Sequence, residues 1–179
     1  MTRYFIIYWR MTLASAQNNL ASRSGAAILI LGKVLRFGFF LSFLFVIGTK
    51  TKVIAGYSLE QMIFFFLTFQ LIDTIPQFFM REVYRFRGYI VSGDFDYILL
   101  KPISPLFRSL LGGTDPLDIP MIFLSIGGLA LTAVHMNVTF YAVFLYILLV
   151  INALIIAVSF HIFVLALGII TTEVDHAIM

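Results

Sequence analysis

Four apolar stretches, at residues 25–48, 58–80, 116–135 and 140–170, dominate this chain of 179 residues. About 20 apolar residues in a helix cross roughly 30 Å of hydrocarbon, so each stretch reads as a membrane span. In lipid a backbone must satisfy its own hydrogen bonds, which leaves helices as the spanning form for runs of this length. The expected fold is therefore all-α: a polytopic helical membrane bundle forming a single transmembrane domain over residues 1–179. Composition agrees, with 61% hydrophobic and 12% charged residues, where a soluble domain carries about 25% charged. There is no cysteine, which removes disulfide frameworks, thiolate metal sites and thiol nucleophiles.

Residues 1–24 carry Arg3, Arg10 and Arg23 among Tyr4, Phe5, Tyr8, Trp9 and Met11, the mixture of an interfacial helix. A signal peptide is the rival reading, with Ala14-Ser15-Ala16 as its cleavage site, but Arg10 interrupts the apolar core it would need. The first span must carry Lys33 and Arg36 into the bilayer. Lying three residues apart, they share a face and read either as snorkelling anchors or as a cationic lining of a substrate path. In the second span Ser58 and Gln61 form a capping box. Further on, Gln70, Asp73, Thr74 and Gln77 recur at helical spacing as one polar stripe, and Pro76 predicts a kink. This stripe reads as interhelical glue or as a substrate contact, with Asp73 expected to meet Lys33 or Arg36.

Asp115-Pro116-Leu117-Asp118 opens the third span, with Asp115 as cap, Pro116 at the first helical position and Asp118 in the positive first turn. The turn Met136-Asn137-Val138 returns the chain as a helical hairpin. The fourth run is about 46 Å long at 1.5 Å per residue, and its His161 is expected to be hydrogen-bonded inside the bundle rather than to bind metal. Lys and Arg counts set the orientation. Arg3, Arg10, Arg23, Arg81, Arg85, Arg87, Lys101 and Arg108 lie on one side and Lys50 and Lys52 on the other. The positive-inside rule then places the N-terminus and the 81–115 loop in the cytoplasm. The net charge of +3 reads as this orientation signal, with the lipid bilayer as partner and no nucleic acid.

That loop is the most distinctive segment. Arg81-Glu82-Val83-Tyr84-Arg85-Phe86-Arg87 extends the second span as a basic, aromatic helix; Ser92-Gly93 breaks it; Asp94-Phe95-Asp96-Tyr97-Ile98-Leu99-Leu100 mixes acids with an apolar patch too short to span. Lys101-Pro102 and Ser104-Pro105 stiffen the exit, because proline fixes its own φ and restricts the preceding residue.

Ser92-Gly93-Asp94-Phe95-Asp96, Leu99-Leu100-Lys101-Pro102 and Pro105-Leu106-Phe107 resemble the permease family of type-two ATP-binding-cassette (ABC-2) exporters. So do Ala55 to Met62, Phe69 to Asp73, Tyr84 to Arg87 and Asp115 to Asp118, so the resemblance covers most of the chain. It implies a plasma-membrane permease that pairs with a second permease subunit, identical or not, and with cytoplasmic ABC ATPase subunits. The 81–115 loop would be a coupling helix and loop: Gly93 permits the turn, Asp94 and Asp96 offer acceptors, Phe95 anchors, Lys101 lies in the same surface, and Pro102 and Pro105 stiffen it. The family usually has six spans, so the chain reads as a truncated permease domain or as a shortened subunit completed by another chain. No phosphate loop occurs, since Gly32-Lys33-Val34 has the wrong third residue. The chain is therefore not expected to be an enzyme, and it needs no cofactor or metal of its own: ATP and Mg would sit on the partner ATPase. A non-transporting membrane scaffold is the alternative. An intramembrane enzyme is a third reading, with Asp73, His135 and His161 its only candidate groups.

Overall fold

The computed structural model describes residues 2–51 and 56–177; Lys52 and Ala55 lie outside the described residues, as do the side chains from Thr171 to Met179. Among the described residues there is no β-strand. Eight α-helices follow one another among the described residues: α1 (Thr2–Leu20), α2 (Arg23–Lys50), α3 (Leu59–Phe79), α4 (Val83–Ser92), α5 (Phe95–Leu99), α6 (Pro105–Leu110), α7 (Ile119–His135, preceded by a 3-10 turn at Pro116–Asp118) and α8 (Phe140–Ala177). Among the described residues four stretches are long and apolar enough to cross a membrane: Arg23–Lys50, Leu59–Ser92, Pro116–His135 and Phe140–Gly168. The expected all-α membrane bundle is the fold observed.

The chain divides into two compact units. The first, Leu20–Ile75 with Leu117–Leu154, is built around Phe37 and Leu44 of α2, Phe66, Leu67 and Leu71 of α3, and Met121 and Leu129 of α7. Phe40 stacks on Phe66 with ring centroids 4.6 Å apart. Lipid tails are as apolar as these side chains, so packing rather than the hydrophobic effect holds such helices together, and small residues let them approach. At Gly128 an added Cβ would lie 2.9 Å from Leu67 Cδ1, and at Gly48 2.5 Å from Leu59 Cδ1. The start of α3 carries the reciprocal capping box: the Ser58 N–H donates to Gln61 Oε1 (2.9 Å) and the Gln61 N–H to Ser58 Oγ (3.3 Å). Between α7 and α8, Asn137 takes a left-handed φ of 50°, a conformation its short polar side chain tolerates better than most.

The second unit comprises Met1–Asn19, Pro76–Pro116 and Ile155–Met179. Its core is Val83 and Phe86 of α4, Leu110 of α6 and Leu165 of α8. The expected continuous helix through Arg81–Arg87 is instead interrupted: the Met80 N–H closes α3 on Pro76 O (2.7 Å), the chain turns, and α4 begins at Val83. The reason is tertiary, because Glu82 is drawn inside, 4% exposed, and the Asp115 N–H takes the Phe78 carbonyl at 3.0 Å. Helix α1 is tied to the loop along its length. Arg3 Nη2 donates to Pro102 O (2.9 Å), Tyr4 meets Phe107 edge-on at 4.9 Å, and Ser15 Oγ donates to Thr114 O (2.9 Å). Gly113, at φ 126°, allows the close pass, since a Cβ there would lie 2.8 Å from Met11 O. Phe5, Ile6, Trp9 and Leu13 stay exposed on the other side of α1, as an interfacial helix requires. Burial pushes the Tyr8 phenol above its ordinary value.

Candidate coupling surface and buried charge pairs

The 93–107 segment folds into two short helices on a fixed base. Gly93 closes α4 in the left-handed region at φ 78°, its N–H bound to Ile90 O at 3.1 Å. Residues with a Cβ avoid that conformation, which accounts for glycine at the end of α4. Ser92 Oγ donates to Asp94 Oδ2 at 2.7 Å, ordering the turn, while Asp94 and Asp96 remain exposed. Phe95 points inward, its ring edge-on to Phe86 at 5.0 Å. It therefore holds α5 to the core and is not the outward anchor expected of it. The outward apolar groups are Tyr97, 66% exposed, and Leu100, 81% exposed. Lys101 is exposed, Pro102 lends its carbonyl to Arg3, and Pro105 occupies the first turn of α6, where Ser104 Oγ accepts from the Phe107 N–H at 3.4 Å.

The same unit holds two buried carboxylates, Glu82 and Asp115. Glu82 Oε1 accepts from Arg108 Nη1 (2.8 Å) and from the Tyr89 hydroxyl (2.9 Å), with Arg85 Nη1 3.8 Å from Oε2. Asp115, 4% exposed, faces Arg81 Nε at 3.5 Å and accepts from Asn19 Nδ2 at 3.4 Å. Beyond the helix-capping role expected of it, Asp115 pairs with Arg81, which is close enough to neutralise it. Glu82 was not singled out from the sequence. Its signal was being the one acid among Arg81, Arg85 and Arg87, and opposite charges within a few ångströms are what make a buried carboxylate tolerable.

In the first unit Lys33 Nζ reaches Asp118 Oδ1 at 2.5 Å. Lys33 or Arg36 was the partner expected for Asp73. Lys33 meets Asp118 instead, and Asp118, the N-cap residue of α7 without a side-chain cap bond, serves as a counter-ion inside the span region. Arg36 is exposed. The polar stripe resolves into parts: Gln70 Nε2 donates to Thr74 Oγ1 (3.0 Å), and Thr74 Oγ1 donates back to Gln70 O (2.7 Å). Asp73 and Gln77 are half-buried, and Asp73 makes no ion pair among the described residues. A cavity of about 730 Å³ opens in the same unit, walled by Phe40, Tyr57, Phe64, Phe65, Phe69 and Tyr146. Tyr146 and Thr68 share a 2.9 Å hydroxyl contact on its wall.

In the second unit His161 lies hydrogen-bonded as expected. Its Nδ1 is 2.7 Å from Ala157 O, to which it donates, and its Nε2 shares a 3.0 Å hydrogen bond with the Tyr84 hydroxyl.

A polytopic helical membrane protein with a rigid, charged loop on a buried ionic base is what these features define. The family model described as "ABC-2 family transporter protein" matches residues 34–179, and the chain belongs to that family, as its loop motif suggested. It is thus a membrane component of an ABC transporter. Comparisons with curated proteins and with solved structures gave no match.

Proposed function

We propose that the chain is the permease subunit of an ATP-binding-cassette exporter in the plasma membrane, with its N-terminus and the 81–115 loop in the cytoplasm. A separate ATPase subunit holds ATP and Mg and hydrolyses the nucleotide; this chain does not. A second permease subunit completes the path. The observation that carries the reading is α5 on its base: Asp94, Asp96, Tyr97 and Leu100 face outward, while the Glu82–Arg108 pair and the Phe86–Phe95 contact fix the helix from behind. A surface that must transmit a push needs such a base, because bistable packing amplifies small displacements only when the lever is stiff.

Within the membrane, the aromatic cavity and the stripe around Asp73 form the substrate-facing groups in this reading. Co-purification with a tagged ATPase tests it. Asp94→Lys with Asp96→Lys is expected to abolish the association while the chain stays folded; undiminished association of that double variant would refute docking through α5.

A further inference from the structure

A second cavity, of about 420 Å³, lies in the loop-bearing unit between α1 and the 82–112 segment. Its charged lining is Arg85, Lys101 and Arg108 against the single carboxylate of Glu82, so two positive charges are in excess. Glu82 is spent on Arg108 and Tyr89, which fixes the Arg108 guanidinium, and Lys101 makes no ion pair among the described residues.

From α1 come Met11, Ala14, Ser15 and Asn18. Residues two apart on a helix stand about 200° apart around its axis, so Met11 and Ser15 face away from Trp9 and Leu13. The exposed apolar face of α1 goes to hydrocarbon, and the cavity therefore opens on the aqueous side of the interface.

We infer that this cavity is a binding site for a soluble phosphate monoester. Such a group carries about −1.5 to −2 charges at neutral pH, matching the excess of the lining, whereas a lipid phosphodiester carries one and would have to approach from the opposite face of α1. Guanidinium forks suit tetrahedral oxyanions. The volume exceeds that of the anion, leaving room for a small organic group beside Ser15 and Asn18.

Calorimetric titration of the chain alone, in phosphatidylcholine nanodiscs, tests the site without involving any ATPase, so its failure would leave the proposed coupling role untouched. Glycerol 3-phosphate is expected to bind saturably and more weakly as salt rises. Arg85→Gln with Lys101→Gln is expected to weaken it by about tenfold or more, since both leave the Glu82–Arg108 pair intact. Lys101→Arg should retain binding, and Lys50→Gln should leave it unchanged, with gel filtration confirming folded protein throughout. Absence of saturable binding, equal affinity in the double variant, or equal affinity for citrate would overturn the proposal. Loss of phosphate binding when phosphatidylglycerol is added to the nanodisc would overturn the aqueous placement in favour of a lipid headgroup.

Discussion

Replacing Gly112 by alanine should damage the base of the loop without touching its surface. A Cβ at Gly112 would fall 2.3 Å from Arg108 Nη1, 2.4 Å from Glu82 Cδ and 2.5 Å from Glu82 Cγ, so the 2.8 Å pair cannot persist as it stands. Arg108 is the part able to move, with its side chain 21% exposed, whereas the Glu82 side chain is 5% exposed. Overpacking alone costs about 1–3 kcal/mol, and losing one partner of a buried pair about 3–5 kcal/mol. Glu82 keeps Tyr89 and the more distant Arg85, so the expected loss is between these limits, about 2–4 kcal/mol. Reversible denaturation of the purified chain in detergent, followed by circular dichroism, measures it. The diagnostic comparison is the same change in a background carrying Glu82→Gln and Arg108→Gln, where the clash has no ion pair left to break. The cost of Gly112→Ala should fall there by at least about 1 kcal/mol, as coupled neighbours require. An identical cost in both backgrounds would refute the idea that Gly112 exists to seat this pair.

Asp118→Asn should destabilise the first unit by about 3 kcal/mol, because it removes the carboxylate charge that faces Lys33 in the span region, while Lys33→Met with Asp118→Leu should recover most of that loss; thermal gel-filtration assays read both. Phe65 and Phe69, 74% and 56% exposed, can be changed to alanine with little effect on folding, yet that double variant should lower transport in vesicles if the aromatic cavity meets substrate. Ser58→Ala should cost about 1 kcal/mol and Gln61→Ala less, with the double variant costing less than their sum because each completes the other's cap. Urea unfolding in mixed micelles would separate these cases.

Features set by local chemistry were legible in the sequence. Apolar run length gave the spans, Ser58 and Gln61 marked the start of α3, and Gly93 marked the break, each requiring only neighbours within a few residues. What sequence could not supply was the choice among distant partners. Lys33 had Asp73 and Asp118 available, and helical periodicity says nothing about which one another helix presents. Asp115 read as a cap because the capping signal is local, whereas its pairing with Arg81 depends on a return of the chain. The inward turn of Phe95 has the same origin: a five-residue helix is too short for periodicity to show whether Phe95 or Tyr97 faces in, and Phe86 decides it. The burial of Glu82 is not legible locally, because a lone acid in a basic stretch looks solvated until the fold closes over it.

The central claim is that α5 conveys the work of an ATPase to these helices. Its most direct test is ATP hydrolysis by a candidate ABC ATPase in proteoliposomes with this chain and the proposed second permease subunit. The wild-type chain should stimulate hydrolysis, and Asp94→Lys with Asp96→Lys should abolish the stimulation while both proteins remain folded and inserted. Full stimulation by that variant would contradict the account.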